Sequence, residues 1–265
     1  MKIKFVITAG PTREHLDPVR FLSNPSTGKM GFAIAAEAAR RGYETVLVAG
    51  PVALKTPKGV RRIDVVSARE MLSAVEDSLP LPGKSPRSPR NANPANRANP
   101  CECVLISTAA VADWRPAKCA AKKLKKDQMS GTLKLVRNPD ILKTIHRRFV
   151  LSTPPQKLPT LPTSQLPNSP TPTQTPKHPN TQTPPLLRLV GFAAETNDVL
   201  AEAARKCRAK GLSFIVANDV TRKGSGFGTD TNEVTFVFPD GTLRRFPLMT
   251  KRMVAKRIID AAEAL

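Results

Sequence analysis

The sequence predicts an α/β fold in which a mostly parallel β-sheet is covered by helices on both faces. Apolar segments of strand length alternate with helix-like segments along most of the chain. The strand-like segments are almost continuously apolar, which is typical of strands buried on both sides. The end of the chain differs, because two strand-like runs surround Asp240 and Gly241, a turn signal for an antiparallel hairpin.

Six short apolar runs are expected to form the parallel strands. They are residues 2–10, 44–52, 61–68, 103–114, 187–196 and 212–219. Most of them are rich in valine and isoleucine, which favour strands. The two further runs, within residues 232–248, form the expected hairpin. The order of these elements predicts a three-layer, Rossmann-like domain with a C-terminal antiparallel hairpin.

Five helices are expected between or after these strands. They span residues 29–42, 67–79, 138–149, 198–211 and 249–265. Gly42 closes the first helix, since glycine commonly follows the last turn. Ser67 and Glu70 have the spacing of a capping box at the start of the second. For the third helix, Asn138 is the expected N-cap and Pro139 lies in the first turn.

Two proline-rich segments, residues 80–100 and 152–185, interrupt the pattern. They hold 17 of the 26 prolines and no acidic residue. Such composition cannot bury enough apolar surface to offset chain entropy, so we expect disordered insertions within a single domain spanning residues 1–265. Each follows a helix and precedes a strand, which places it at the amino edge of the sheet, opposite the edge where ligands bind. Recruitment of a proline-binding module is the alternative explanation.

The charge of the chain suggests a polyanionic partner. Lysine and arginine total 42 against 21 acidic residues, which gives a net charge of +21. The four cysteines match no zinc or redox spacing, so they are expected to be core or incidental thiols. No apolar run approaches the ~18 residues of a membrane span, and the first residues do not have the pattern of a signal peptide. A soluble, cytoplasmic protein without membrane contact is therefore expected.

The loop after the first strand, residues 10–31, is unusually long and is expected to be functional. It contains SNPSTGKMG, whose glycines lead into a helix N-terminus, where free N–H groups favour a phosphate. The spacing is neither that of a P-loop nor GxGxxG. Gly28 is thus a candidate substrate contact, although a helix entry that needs small residues explains the pattern equally well.

Two further groups lie in later loops and helices. Asp113 is placed near the end of a strand, and the run KKLKK follows it (residues 122–126, the lysine segment). Lys206 and Lys210 are i, i+4 neighbours on one helix face and could hold a triphosphate. The simpler alternatives are a solvated basic surface for the lysine segment and charge complementing a helix C-terminus for the pair.

Taken together and in order, five segments resemble one family. They are ITAGPTREHLDPVRFLSNPSTGKMG, STAAVADWRP with KLKK, VRNPDIL, VGFAAET and VANDV. They resemble bacterial phosphopantothenoylcysteine synthetase, the ligase half of a bifunctional decarboxylase/synthetase of coenzyme A biosynthesis. The resemblance implies a homodimer with residues 232–248 in the interface. The decarboxylase half is expected to be absent, so that a separate decarboxylase would act next.

The resemblance also implies a reaction and its cofactors. CTP and Mg²⁺ would convert 4′-phosphopantothenate into an acyl-cytidylate with release of pyrophosphate. The amine of L-cysteine would then displace CMP and form the amide. Both substrates are anionic, so attack on the α-phosphate requires charge neutralisation. CTP rather than ATP is implied by the bacterial character of the motifs.

Residue roles follow from the same resemblance. Asn24 is matched to the amide-forming step and Lys123 to a flap that closes over the intermediate. Ala109, Ala110 and Gly28 are matched to substrate contacts, and no metal ligand is assigned. The nucleotide-binding set comprises Asp113, Lys123, Pro139, Asp140, Ile141, Leu142, Phe192, Lys206 and Lys210.

Two other functions compete with a ligase. A nicotinamide-dependent reductase would need GxGxxG after the first strand and an acidic residue at the end of the second, which instead ends in Ala49-Gly50-Pro51. A nucleic-acid-binding protein would suit the charge, but the chain has one tryptophan and one tyrosine to offer as stacking platforms. No nucleic-acid partner is therefore expected.

Overall fold

The computed structural model describes residues 3–80, 102–125, 131–152, 187–195, 198–219, 221, 224–226 and 228–265. Apart from Pro80 and Ser152, the two proline-rich segments lie outside the described residues, and so does Lys126 of the lysine segment.

Within these residues the chain forms twelve strands and five helices. The strands are β1 (Ile3–Ala9), β2 (Arg13–His15), β3 (Phe21–Ser23), β4 (Glu44–Ala49), β5 (Val60–Asp64), β6 (Glu102–Ser107), β7 (Trp114–Pro116), β8 (Leu135–Arg137), β9 (Leu187–Glu195), β10 (Phe214–Asp219), β11 (Thr231–Val237) and β12 (Leu243–Thr250). The helices are α1 (Lys29–Arg40), α2 (Ala68–Ser78), α3 (Ile141–Ser152), α4 (Val199–Ala209) and α5 (Lys251–Glu263).

Eight strands form the central sheet in the order β12-β11-β10-β9-β6-β1-β4-β5. The six strands from β10 to β5 are parallel, and β11 and β12 add the antiparallel hairpin. In the centre, Val6 of β1 pairs with Val46 of β4 on one side and Leu105 of β6 on the other. The predicted fold class is confirmed, with the order typical of a Rossmann-like sheet.

Alternation of side chains along the strands builds two separate cores. Phe5 and Ile7 of β1 pack with α1 and α5 on one face of the sheet. Val6, between them, packs with α2, α3 and α4 on the other face. Because both faces are covered, the parallel strands are apolar at nearly every position, which is the pattern that the sequence shows.

The predicted N-cap of α2 is confirmed, whereas the predicted N-cap of α3 is wrong. Ser67 Oγ accepts a hydrogen bond from the Glu70 N–H, and the Glu70 carboxylate accepts one from the Val66 N–H. The predicted cap at Asn138 is wrong, because its amide donates to the Ala112 carbonyl at 2.8 Å. Asp140 takes the capping position instead, since its Oδ1 accepts from the Lys143 N–H at 3.1 Å, and Pro139 therefore precedes the helix rather than lying in its first turn.

Two small antiparallel sheets, β2–β3 and β7–β8, were not predicted. Their strands have three residues each, which is too short for a periodic signal. The strand expected at 103–114 is also shorter than predicted. It ends at Ser107 because the following residues bond to the loop after β1, with the Ala110 N–H donating to the Gly10 carbonyl at 2.9 Å.

Candidate active site at the carboxyl edge of the sheet

The candidate site lies where the order of the parallel strands reverses. From β1 the chain passes through α1 to β4 on one side, whereas β6 lies on the other side and continues towards β9 and β10. The connections after β1 and β6 therefore cover opposite faces of the sheet and leave a crevice between them. The two loops are cross-linked, since Ala110 N–H donates to Gly10 O at 2.9 Å and Ala112 N–H to Thr12 Oγ1 at 3.0 Å.

Asn24 follows β3 at this crevice and is exposed. Its side-chain nitrogen donates to the Val111 carbonyl at 3.1 Å and, more weakly, to the Ala110 carbonyl at 3.4 Å. The Ala109 N–H is also engaged, by Thr8 Oγ1 at 3.2 Å. The structure thus brings the Asn24 side chain to the carbonyls of Ala110 and Val111, next in sequence to Ala109, and these contacts orient its amide.

Asp113 lies next to the start of α3. The Asn138 N–H donates to the Asp113 carbonyl at 2.8 Å, beside the paired strands β7 and β8. Pro139 is partly buried and Asp140 is exposed, while Ile141 and Leu142 belong to the core on this face. Of residues 139–142, only Pro139 and Asp140 are accessible to a ligand, and the two apolar residues anchor the helix in the core.

Lys210, which directly follows α4, reaches the start of α3. Lys210 Nζ forms an ion pair with Asp140 Oδ2 at 2.8 Å. Lys206, one turn earlier, is partly buried. Cys207 is buried between the helix and the sheet, and this burial raises the pKa of its thiol. Of the predicted nucleotide set, Asp113, Asp140, Lys206 and Lys210 all belong to elements on the α3–α4 face of the sheet.

Phe192 lies on the opposite face. It packs against the core formed with α1 and α5, because neighbouring side chains of β9 alternate between faces. There it lines a cleft of about 90 Å³ together with Gly28, Thr108, Asn218 and Asn232. Gly28 has a φ of 76° directly before α1, a conformation that favours glycine. The structure therefore does not bring Phe192 together with the lysines of α4.

Two lysines that sequence reasoning missed hold residues 226 and 228–230, which lie between β10 and β11, at this cleft. Lys29 Nζ donates to Gly228 O at 2.9 Å and to Asp230 Oδ1 at 2.7 Å. Lys251 is 8% exposed, and its Nζ donates to the carbonyls of Gly226 at 3.2 Å and Thr229 at 2.5 Å. Burial lowers the pKa of Lys251. No sequence signal separates these lysines from the chain's other basic residues.

Lys123 is exposed and bonds to no other residue in the part of the chain that the structure describes. Its side chain is therefore available to a ligand, in contrast to Lys29 and Lys210. Its neighbour Leu124 is held through its backbone by the hairpin formed by β2 and β3.

The donor set suits a magnesium ion bound mainly by a substrate. Among the described residues, no group of three or more His, Cys, Asp or Glu side chains could hold a metal. Asp113 and Asp140 are exposed carboxylates at the α3 end of the site. Mg²⁺ is commonly bound through one or two carboxylates together with substrate phosphates, which these residues fit.

In the part of the chain that the structure describes, no helix is long and apolar enough to cross a membrane.

Fold and site define the class of protein: a Rossmann-like α/β domain with a polar site at the switch point of its sheet. The chain belongs to the family of the DNA/pantothenate metabolism flavoprotein C-terminal domain, which matches residues 1–81, 92–151 and 178–265. The family resemblance expected from the sequence motifs is confirmed.

Known relatives support this membership. The chain is 37% identical to the coenzyme A biosynthesis bifunctional protein CoaBC of Escherichia coli K12 over 97% of its own length, and 39% identical to that of Bacillus subtilis 168 over 98%. It spans about half the length of these curated relatives, 51% in each case.

Solved structures agree in fold. The crystal structure of a CoaBC C-terminal domain is 33% identical, with a TM-score of 0.64 over 99% of this chain and 94% of that one. A DNA/pantothenate metabolism flavoprotein from Streptococcus pneumoniae, at 20% identity, has the same fold with a TM-score of 0.63 over 98% of both chains.

Proposed function

We propose that the chain is a phosphopantothenate–cysteine ligase of coenzyme A biosynthesis. The carboxylate of 4′-phosphopantothenate attacks the α-phosphorus of CTP, which releases pyrophosphate and leaves an acyl-cytidylate. The amine of L-cysteine then attacks the acyl carbonyl and expels CMP. The relatives named for coenzyme A biosynthesis support this proposal, and the match of this chain to a CoaBC C-terminal domain favours the ligase part.

The observation that carries the proposal is the placement of Asn24. It lies at the switch point, next to the paired alanines, and its amide orientation is fixed by the Val111 carbonyl. The second N–H of this amide makes only the weaker 3.4 Å contact to the Ala110 carbonyl, and it can turn to donate to a carbonyl oxygen that becomes an oxyanion, without any proton transfer by the residue. Such a donor suits the second step, in which the amine adds to the acyl carbonyl.

The first step brings two anions together and needs cationic groups. Among the described residues the Lys123 ammonium has no partner, while Lys210 pairs with Asp140 just before α3 and Lys206 precedes Lys210 by one helical turn. Mg²⁺ bound to the triphosphate would supply further charge neutralisation, with Asp113 and Asp140 as the residues that hold it. Because Lys210 is paired with Asp140, nucleotide binding would exchange this ion pair for contacts to phosphate and metal.

The end of β4 argues against a nicotinamide reductase. Such an enzyme would hold the cofactor ribose with an acidic residue at this strand end. Here β4 ends at Ala49, and a Cβ on Gly50 would lie 1.7 Å from the Pro11 carbonyl oxygen. The loop after β1 therefore packs directly against the strand end and leaves no room there for the acidic side chain of a reductase.

A homodimer through the antiparallel hairpin belongs to the same proposal. β12 is the edge strand of the sheet, and Leu243 and Leu248 on it are 41% and 49% exposed. Exposed apolar side chains on an edge strand favour pairing with another chain. Light scattering should give twice the chain mass for the wild type and the chain mass for Leu248→Glu. A monomeric wild type would contradict the dimer.

The ligase activity is tested by incubating the protein with phosphopantothenate, cysteine, Mg²⁺ and either CTP or ATP, and measuring pyrophosphate. Release is expected with CTP and requires phosphopantothenate. Release with ATP but not with CTP would show that ATP is the co-substrate. No release with either nucleotide would refute the proposed function.

A further inference from the structure

Asp17 is a buried carboxylate in the turn between β2 and β3, outside the site residues discussed so far. Its side chain is fully buried. One oxygen accepts the N–H groups of Val19 and Arg20, each at 2.8 Å, and the other accepts the guanidinium of Arg20 at 2.6 Å. A carboxylate that is buried without such partners would be costly, so this turn is built around its charge.

The same carboxylate reaches a distant part of the chain. The Leu124 N–H donates to Asp17 Oδ2 at 3.2 Å, and Arg20 Nη2 donates to the Leu124 carbonyl at 2.7 Å. The Ala120 N–H donates to the Leu16 carbonyl at 2.8 Å. Both backbone groups of Leu124 are thus bound by one ion pair, and a second bond holds the chain just before it.

This clamp lies next to both groups to which the proposed reaction assigns a step. Leu124 directly follows Lys123, so fixing its backbone fixes the point from which the lysine side chain extends. The hairpin that carries Asp17 continues through β3 into Asn24, and Ser23 Oγ anchors this exit by donating to Thr12 O at 2.8 Å. One hairpin therefore links the position of the lysine segment to that of Asn24.

We propose that Asp17 is a positioning residue that, together with Arg20, fixes the lysine segment relative to Asn24 by clamping the backbone of Leu124. This inference rests on the proposed ligase function for its effect on the rate, but not for the clamp itself. The Arg20 guanidinium holds the pKa of Asp17 well below its usual range, so the clamp stays charged at neutral pH.

The clamp is tested by Asp17→Asn, which keeps the shape of the side chain and removes its charge. Hydrogen exchange over residues 118–125, followed by mass spectrometry, should show the Leu124 amide exchanging roughly tenfold faster, as expected for a lost charge-assisted hydrogen bond. In the ligase assay, kcat for pyrophosphate release should fall about tenfold while kcat/KM for cysteine stays unchanged, because cysteine enters after activation.

Glu37→Gln is the matched control. Glu37 is also a carboxylate paired with arginines, and Arg40 lowers its pKa to about 2, but it lies on α1 and does not contact the lysine segment. Its substitution should leave exchange over residues 118–125 and kcat as in the wild type. An equal change in both variants would overturn the proposal, since the effect would then be general destabilisation.

If circular dichroism shows that Asp17→Asn does not fold, Arg20→Lys replaces it. Arg20 is 38% exposed, and lysine keeps the charge but cannot bond Asp17 and the Leu124 carbonyl through one planar group. The same faster exchange at Leu124 is expected. Unchanged exchange in a folded variant overturns the clamp. If exchange at Leu124 is faster in the variant but the wild-type protein releases no pyrophosphate, the clamp stands and only the ligase function is refuted.

Discussion

The lysine segment and the loop between β10 and β11 both border the candidate site, but opposite charges hold them. In the lysine segment, the backbone of Leu124 is bound by a carboxylate, Asp17, while the Lys123 ammonium has no partner among the described residues. The β10–β11 loop is fixed by two ammonium groups, those of Lys29 and Lys251, which donate to backbone carbonyls and to Asp230. Some basic residues near the site therefore stabilise the fold and others are available to bind a ligand, and only their contacts in the structure distinguish the two groups.

The largest effect is expected at Asn24, which the hairpin positions. Asn24→Ala removes the donor to the developing oxyanion, and loss of one such donor typically slows a reaction by about 100- to 1,000-fold. Pyrophosphate release should persist in single-turnover experiments while amide formation falls by about that factor, measured by mass spectrometry of the products. Normal amide formation would show that Asn24 has a different role.

A loss of stability rather than of chemistry is expected at the β10–β11 loop. Lys251→Met keeps the length of the side chain but leaves the carbonyls of Gly226 and Thr229 without their donor, which should cost about 1–3 kcal/mol of the free energy of unfolding. Urea denaturation measures this loss. Lys256→Met, on the exposed side of α5, is the control and should change little; equal losses in both would show that Lys251 is not an anchor.

At the lysine segment, in contrast, a loss of rate without a loss of stability is expected. Lys123→Ala removes a free cation and should slow formation of the acyl-cytidylate roughly tenfold, since charge stabilisation in the first step is lost. The neighbouring Lys122→Ala should leave the rate near that of the wild type. The reverse result would move the functional position by one residue, and unchanged rates in both would make the segment a solvated surface.

The smallest effect is expected at the Lys29–Asp230 pair, in which the Asp230 side chain is 86% exposed. Lys29 lowers the pKa of Asp230 below its ordinary value of 3.8. The folded state then favours the ionised carboxylate, so its contribution is present above pH 3.8 and is lost as the pH falls through the lowered pKa. The urea midpoint of Asp230→Asn should lie slightly below that of the wild type at pH 7, and the two should converge as the pH falls below 3.8.

A gap between the two midpoints that persists or widens at low pH would contradict this assignment. The stability of the variant would then depend on something other than the charge of Asp230.

Much of the fold could be predicted because its signals are local. Continuous apolar runs marked the parallel strands, and Asp240 with Gly241 marked the hairpin. The N-cap of α3 was wrong for a physical reason. Asn138 and Asp140 are both good caps, and the tertiary contact of Asn138 with the Ala112 carbonyl decided between them.

The site was predicted less completely because its contacts join distant segments. Asp17 and Leu124 are 107 residues apart, and Lys29 and Asp230 are 201 apart, so neither pair leaves a pattern in the sequence. Phe192 lies on the α1–α5 face of the sheet, opposite to Lys206 and Lys210, because side chains alternate between the two faces along β9. The structure does bring two of the motifs together, since the Asn24 amide donates to the Ala110 carbonyl, whereas Asp113 lies six residues beyond the end of the strand that was expected to carry it.

The central claim is tested most directly by following CTP in the wild-type protein with phosphopantothenate and Mg²⁺, first without cysteine and then with it. Without cysteine, we predict up to one acyl-cytidylate per site together with an equal amount of pyrophosphate, detected by mass spectrometry. Addition of cysteine should convert this intermediate to the amide and CMP. If CTP remains intact and no acyl-cytidylate or amide appears, the chain is not the proposed ligase.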